Sequence, residues 1–287
     1  MWRIIIVLLG LVLTTPAVSV AQNVAEPTTE HFSSHGLQNT DAWFLGGEFV
    51  GALALGFFAP DFIVSSQPSD LTCADAWCET NGFDDALRDV FVADDAQAAA
   101  SASHVFALGL TPALVMGSFV TGAALAGDWT YAVQDVVIML DAFMLSTGLN
   151  TLAKVGARRQ RPGFHYGRQD ELETGLGTDE FVSFYSGDTT WAFTLAASGT
   201  TLAYLRGYWF APYVAAASGA FALTGGILRM SADMHWATDV LVGAAAGVVV
   251  GAGLPLLLHR RETTQTTLSL SPSIGAEQQS IILHGTW

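Results

Sequence analysis

The sequence predicts an all-α protein, a polytopic bundle of about five to six membrane-embedded helices with a short C-terminal tail resembling a β-hairpin. Three observations predict it. Of the 287 residues, 51% are hydrophobic and 13% charged, with a mean hydropathy of +0.41, well above an ordinary soluble domain. From residue 105 onward, runs of spanning or near-spanning length recur almost free of charge. Those runs are rich in Gly, Ala, Ser and Thr, which let helices approach closely in a bilayer. The modest length of the run at 189–205 leaves open a compact soluble bundle whose helices are buried on all sides. A formal net charge of -15 with no sizeable basic patch argues against nucleic acid as a partner.

At the N-terminus, "MWRIIIVLLGLVLTTPAVSVAQ" joins one Arg, an apolar core and small residues before Gln22, the pattern of a signal peptide over residues 1–21; a retained anchor is the alternative. Residues 22–101 form a polar and acidic N-terminal region with one apolar helix at 43–60, interrupted by Glu48. Its loop "LTCADAWCETNG" carries Cys73 and Cys78, expected to form a local disulfide outside the cytoplasm. Between 65 and 101, eight acidic side chains accompany one arginine, Arg88, as suits an extracytoplasmic insertion. Residues 102–259 hold five helical runs, at 105–127, 129–153, 189–205, 207–228 and 240–258. Asp135 and Asp141 in the second are six apart, off a common face, and are expected to hydrogen-bond between helices. Residues 260–287 form the tail, which alternates polar and apolar residues around "PSIG".

The chemistry concentrates at the joints between runs. In "GGILRMSADMHWATDVLVGAAAG", Arg229, His235 and Asp239 interrupt an apolar segment, and charges away from water are costly unless partnered. His235 and Asp239, four apart, share a helical face, so the Asp is placed to orient the imidazole as a nucleophile or base. In "LAKVGARRQRPGFHYGR", Lys154 and Arg161 are seven apart and can act either as anchors at a membrane face or as an anion clamp. "FVSFYSGDTTWAF" puts Ser186, Gly187 and Asp188 at a helix N-terminus, where amides and the helix dipole favour an anion. An up-and-down bundle brings these joints to one face.

These residues resemble the type 2 phosphatidic acid phosphatases, with the related bacterial acid phosphatases and vanadium haloperoxidases. Lys154 to Arg161-Pro162 matches the family's first motif, and Arg229, His235 and Asp239 match its third. The second, usually Pro-Ser-Gly-His, is matched only as "YSGD", Tyr185 to Asp188. The resemblance implies a phosphatase without metal or other cofactor. His235 forms a phosphohistidine, Asp239 orients it, and Lys154, Arg161, Arg229 and the Ser186-Gly187 amides bind phosphate. Asp188 takes the place of the histidine acid. It is either a protonated substitute acid, or dispensable for an activated leaving group such as a diphosphate, or the mark of a homologue that binds phosphate without cleaving it.

Helices ending in a phosphate site imply a lipid phosphate or diphosphate as substrate and the bilayer as partner; a soluble periplasmic acid phosphatase is a further alternative. Phosphatidate, phosphatidylglycerol phosphate, undecaprenyl diphosphate and a lipid A phosphate all fit. Arg206, Arg260 and Arg261 at the opposite face are expected to be cytoplasmic, with the motif face periplasmic in a bacterial-type inner membrane. After signal cleavage this requires segment 43–60 to lie on the membrane or pack without crossing. If it crosses, the motif face turns to the cytoplasm. Among the other histidines, His104 is expected at an interface, His165 at the surface or else lining the site entrance, and His259 without supporting neighbours.

Overall fold

The computed structural model describes residues 36–58, 71–127, 129–168, 170, 179–261, 268–274 and 279–285; the signal-peptide stretch 1–21 lies outside them. Asp41 caps α1 (Ala42–Leu53), its carboxylate accepting from the amides of Trp43 and Phe44 at 3.1 and 3.0 Å, and a π-helical turn follows at Ala54–Phe58. Asn81 caps α2 (Gly82–Phe91) in the same way. Then come α3 (Ala96–Ala126), α4 (Thr130–Ala157), the single turn α5 (Pro162–His165), α6 (Gly187–Arg206), α7 (Ala211–Ser231) and α8 (Ala237–Leu258). β1 (Leu268–Ile274) and β2 (Gln279–Gly285) pair antiparallel, with Leu268 opposite Gly285.

The helix predicted from 105 begins instead at Ala96 and passes through a π-helical stretch at Val105–Leu110. Its first turns, "AQAAASASH", are too weakly apolar to register as hydropathy, yet alanine is the strongest helix former. The second predicted run extends to Ala157 and so puts Lys154 on the helix itself. Gly127 and Gly207, at φ of 71° and 78°, close α3 and α6 in the left-handed conformation that only glycine adopts cheaply.

Four helices, α3, α4, α7 and α8, are long and apolar enough to cross a membrane. The fifth, α6, is packed against all four of them. That position explains its more polar composition: Thr189, Thr190, Thr194 and Ser198 are buried by protein, not by lipid. At its far end Arg206 is fully buried. Its guanidinium meets the Asp135 carboxylate at 2.7 Å and Gln134 at 3.0 Å, beneath the Tyr131 ring at 4.3 Å. Arg206 is therefore one half of an ion pair within the bundle, and Asp135 has found its partner on a neighbouring helix. Asp141, also buried, shows no such hydrogen bond.

The path of the N-terminal region also departs from expectation. Leu37 bridges Arg261, and Gln134 Nε2 donates to Thr40 O at 3.2 Å, which fixes this part at the Arg206 end of the bundle. Trp77 bridges Arg159 at the opposite end. Thr40 and Trp77 therefore lie at opposite ends of the bundle, and α1 and its π-helical turn pack against α4. His259, expected to have no neighbours, is buried with Nε2 3.0 Å from Glu48 of α1.

The register of α8 against α6 is set by three glycines one helical turn apart. Gly243, Gly247 and Gly251 face the backbone of α6 at Ser186, Thr190 and Thr194; a β-carbon at Gly247 would stand 2.6 Å from the Thr190 carbonyl oxygen. Gly253, on the same helix, faces open space. Replacing Gly247 by Leu must wedge the two helices apart and should cost roughly 1–3 kcal/mol or more of stability, whereas Gly253→Ala should be neutral or slightly stabilising. Thermal unfolding of the two variants in detergent checks this difference.

Candidate active site

The C-terminal ends of α4 and α7 and the N-terminal ends of α6 and α8 meet at one end of the bundle. Asn150 and Lys154, one turn apart on α4, reach the start of α6: Asn150 Nδ2 donates to Tyr185 O at 2.7 Å, and a β-carbon at Gly187 would lie 3.7 Å from Lys154 Nζ. Arg161, buried just past α4, donates to the Met234 carbonyl at 3.1 Å, in the loop that carries His235. Lys154, Arg161, Ser186, Gly187, Asp188, Arg229, His235 and Asp239 thus share one face, as their order in the chain implied.

His235 is buried, and its Nδ1 lies 2.8 Å from the Ser183 carbonyl oxygen. A carbonyl can only accept, so Nδ1 carries the proton and Nε2 keeps its lone pair. Burial pushes the imidazole well below its ordinary pKa, and the charges of Arg161, Arg229 and Lys154 push it further, against the opposite pull of Asp188. His235 is a neutral imidazole facing three cations.

Asp239 does not bond the imidazole, since its Oδ2 stands 3.9 Å from Nδ1. That oxygen accepts from Ser183 Oγ at 2.6 Å and from the Trp236 amide at 3.0 Å. Asp239 therefore fixes the two segments on either side of the ring: the carbonyl that receives Nδ1–H and the chain that carries it. Its other oxygen takes the Arg159 guanidinium at 2.6 Å. Arg159 in turn reaches Asp84 of α2 at 2.6 Å, lies over the Trp77 ring at 4.2 Å, and is almost completely buried. Asp84 also accepts from the Thr238 amide at 2.8 Å. The acidic insertion, which also carries the Cys73–Cys78 disulfide, is by this means part of the site's frame.

The Ser186 amide, expected to bind phosphate, donates to the Asp239 carbonyl at 3.1 Å. The first turn of α6 still presents amides without helical acceptors, beginning with Gly187. Asp188 points its carboxylate between two groups, 3.2 Å from Arg229 Nη1 and 3.1 Å from His104 Nε2 of α3. Neither contact has the alignment of a good hydrogen bond, so charge attraction dominates. Burial raises the acid's pKa, but Arg229 and His104 more than offset it and hold the carboxyl well below its ordinary range. A carboxylate so held has no proton to give, which removes the physical basis for Asp188 as the acid.

A second buried carboxylate shapes the loop before His235. Asp233, at a left-handed φ of 55°, takes Arg88 through Nε and Nη2 at 2.8 and 2.7 Å and Arg168 at 2.8 Å. His165 packs edge-on to Trp236 at 5.7 Å, beside the site.

A family model described as the PAP2 superfamily matches residues 135–263. That segment belongs to the PAP2 superfamily. No curated protein and no solved structure gives a significant match. Members of the PAP2 superfamily are phosphatases, and the matched span holds Lys154, Arg161, Asp188, Arg229, His235 and Asp239. Asp84, Arg88 and His104 touch this site from outside the matched PAP2 span. Sequence reasoning missed them because each meets its partner more than seventy residues away, and it missed Arg159 because that residue looked like one more cation in a basic run.

Two outcomes follow from the buried charges. Arg159→Ala leaves Asp84 and Asp239 buried without their cation and should destabilise the PAP2 domain by about 3–5 kcal/mol, measured by thermal or denaturant unfolding. His235, neutral when folded and near its ordinary pKa of about 6.5 when unfolded, binds more protons in the unfolded state. Its effect is a loss of stability as pH falls below about 6.5, with a slope of at most about 1.4 kcal/mol per pH unit. Asp188 contributes only near and below its ordinary range, around pH 4. Between pH 4.5 and 6.5, roughly, His235→Gln should unfold with a flatter pH dependence than the unaltered protein.

Proposed function

We propose that the protein is a membrane phosphatase that hydrolyses a phosphomonoester or diphosphate of a lipid through a phosphohistidine at His235. The observation that carries this reading is the state of that imidazole: Nδ1–H committed to the Ser183 carbonyl, Nε2 unprotonated, and three cations around it. Attack by Nε2 on phosphorus transfers the phosphoryl group to the ring as the leaving oxygen departs. Water then cleaves the P–N bond and releases inorganic phosphate. Lys154, Arg161, Arg229 and the α6 amides from Gly187 onward bind the phosphoryl oxygens and answer the charge that builds on them. Asp239 acts as a positioning residue through Ser183 and the Trp236 amide. No cofactor enters this reading.

The lipid substrate is supported by four apolar helices ending at the site's face, where a headgroup would meet the cations while its chains stay in the bilayer. A periplasmic site face is supported by the Cys73–Cys78 disulfide beside it and by Arg260 and Arg261 at the other end. Leu37 and Thr40 sit at the end opposite the site, so this orientation places them on the cytoplasmic side.

Phosphate release by the detergent-purified protein from a lipid phosphate and a lipid diphosphate tests the function. His235→Ala should reduce release to background, and Lys154→Met or Arg161→Met should lower it by roughly 10²–10³-fold. Release that survives His235→Ala overturns the mechanism. Binding of the lipid phosphate without any release would make the protein a phosphate-lipid binder.

A further inference from the structure

The reaction above lacks a proton donor. A leaving alkoxide must be protonated, and Asp188 is held ionised between Arg229 and His104. His104 is the one imidazole besides His235 that touches this cluster among the described residues. It comes from α3, nine residues into the helix, on a stretch whose first turns are nearly all small. Ala99 and Ala100 of those turns pack with Ala93 and Ala232 against Met234, which seats the start of α3 on the loop leading to His235. Gly225 of α7 adds to the close fit, since a β-carbon there would be 3.7 Å from the Ser103 carbonyl oxygen. The His104 side chain is 55% exposed, so its ring stands at the open side of the cluster while Asp188 and Arg229 behind it are buried.

We propose that His104 is the general acid of this enzyme, and that Asp188 is its positioning carboxylate. The inference rests on the phosphatase reading and deepens it. His104 presents Nε2 to both groups: protonated, that nitrogen faces Asp188 at 3.1 Å, and neutral, it accepts from Arg229 Nη1 at 3.2 Å, so the Nε2 proton is the one to transfer. When His235 Nε2 bonds to phosphorus and the P–O bond to the leaving group breaks, that proton passes to the leaving oxygen. His104 is then neutral and takes a proton from the water that attacks the phosphohistidine. The P–N bond breaks, phosphate departs, and both histidines return to their starting states. The charged groups facing His104 are Asp188 of α6 and Arg229 of α7, with Nη1 of the latter 3.2 Å from Nε2; His235 lies beyond Asp188. His104 lies outside the segment matched to the PAP2 superfamily, so the acid would reach the reaction from a helix that the matched span does not include.

Leaving groups of different basicity separate this proposal from the reading beneath it. Dodecyl phosphate in mixed micelles releases an alkoxide that needs a proton; p-nitrophenyl phosphate releases a phenolate that needs little help. His104→Ala should lose about 10²-fold or more in kcat/KM on dodecyl phosphate and no more than about tenfold on p-nitrophenyl phosphate. The alkaline fall of the dodecyl phosphate profile, where the imidazolium gives up its proton, should disappear in His104→Ala. Asp188→Asn should weaken the same step, losing more on dodecyl phosphate than on p-nitrophenyl phosphate. Equal losses on both substrates in His104→Ala, no loss on dodecyl phosphate, or an alkaline limb unmoved in His104→Ala would overturn the role of His104. If the unaltered protein cleaves neither substrate, or His235→Ala still cleaves them, the phosphatase reading fails and this inference falls with it.

Discussion

The close contact between α6 and α8 is the constraint on which the site depends. Three glycines at four-residue intervals let α8 lie directly on the α6 backbone, and the first of them, Gly243, sits against Ser186. At the same end, the Ser186 amide bonds to the Asp239 carbonyl. One seam therefore sets both the register of the two helices and the separation between the α6 N-terminus and His235. A seam of larger side chains would hold the helices farther apart and leave the amides of the α6 first turn out of reach of a phosphoryl group on His235.

Around that seam, buried carboxylates organise the arginines. Arg88 and Arg168 converge on Asp233, Arg159 lies between Asp84 and Asp239, and Arg206 pairs with Asp135 at the far end. Each pair loses hydration on burial, and the loss is tolerable only where the geometry is good and the remaining donors are satisfied. What these pairs supply is direction. Arg159 joins α2 of the acidic insertion to the start of α8, and Asp233 ties the same helix and the loop after α5 to the turn before His235. The acidic surplus of the chain is in part a set of partners for arginines that would otherwise crowd the phosphate-binding cations.

The helical architecture was legible because apolar runs of spanning length announce themselves, and the motif residues because their spacing places helix ends together. Other features could not be read in the same way. The start of α3 is alanine-rich and only weakly apolar, so hydropathy placed its beginning nine residues late, and His104 looked like the edge of a run when it lies within a helix. Arg206 ends its helix, and nothing in the sequence pairs it with the buried Asp135 on the neighbouring helix. Asp84 and Arg159 are 75 positions apart, and no local pattern connects them. The N-terminus of α6 was read as an anion site, but which of its amides remain available depends on a partner in α8 that the sequence does not indicate.

The histidine-to-aspartate difference in the second motif then has a physical account that does not require loss of function. A carboxylate at position 188, beside Arg229 and deprived of water, stays ionised and cannot donate a proton. The same carboxylate is well suited to hold an imidazole, and one is in contact with it. Such an exchange moves the acid from the wall of the pocket to its open side, where the leaving group of a lipid phosphate would have to depart. It is workable only because the first turns of α3 are small enough to seat that helix against the loop carrying His235. The alanines of 96–102 and the aspartate at 188 are thus two parts of one arrangement, although eighty-odd residues of sequence separate them.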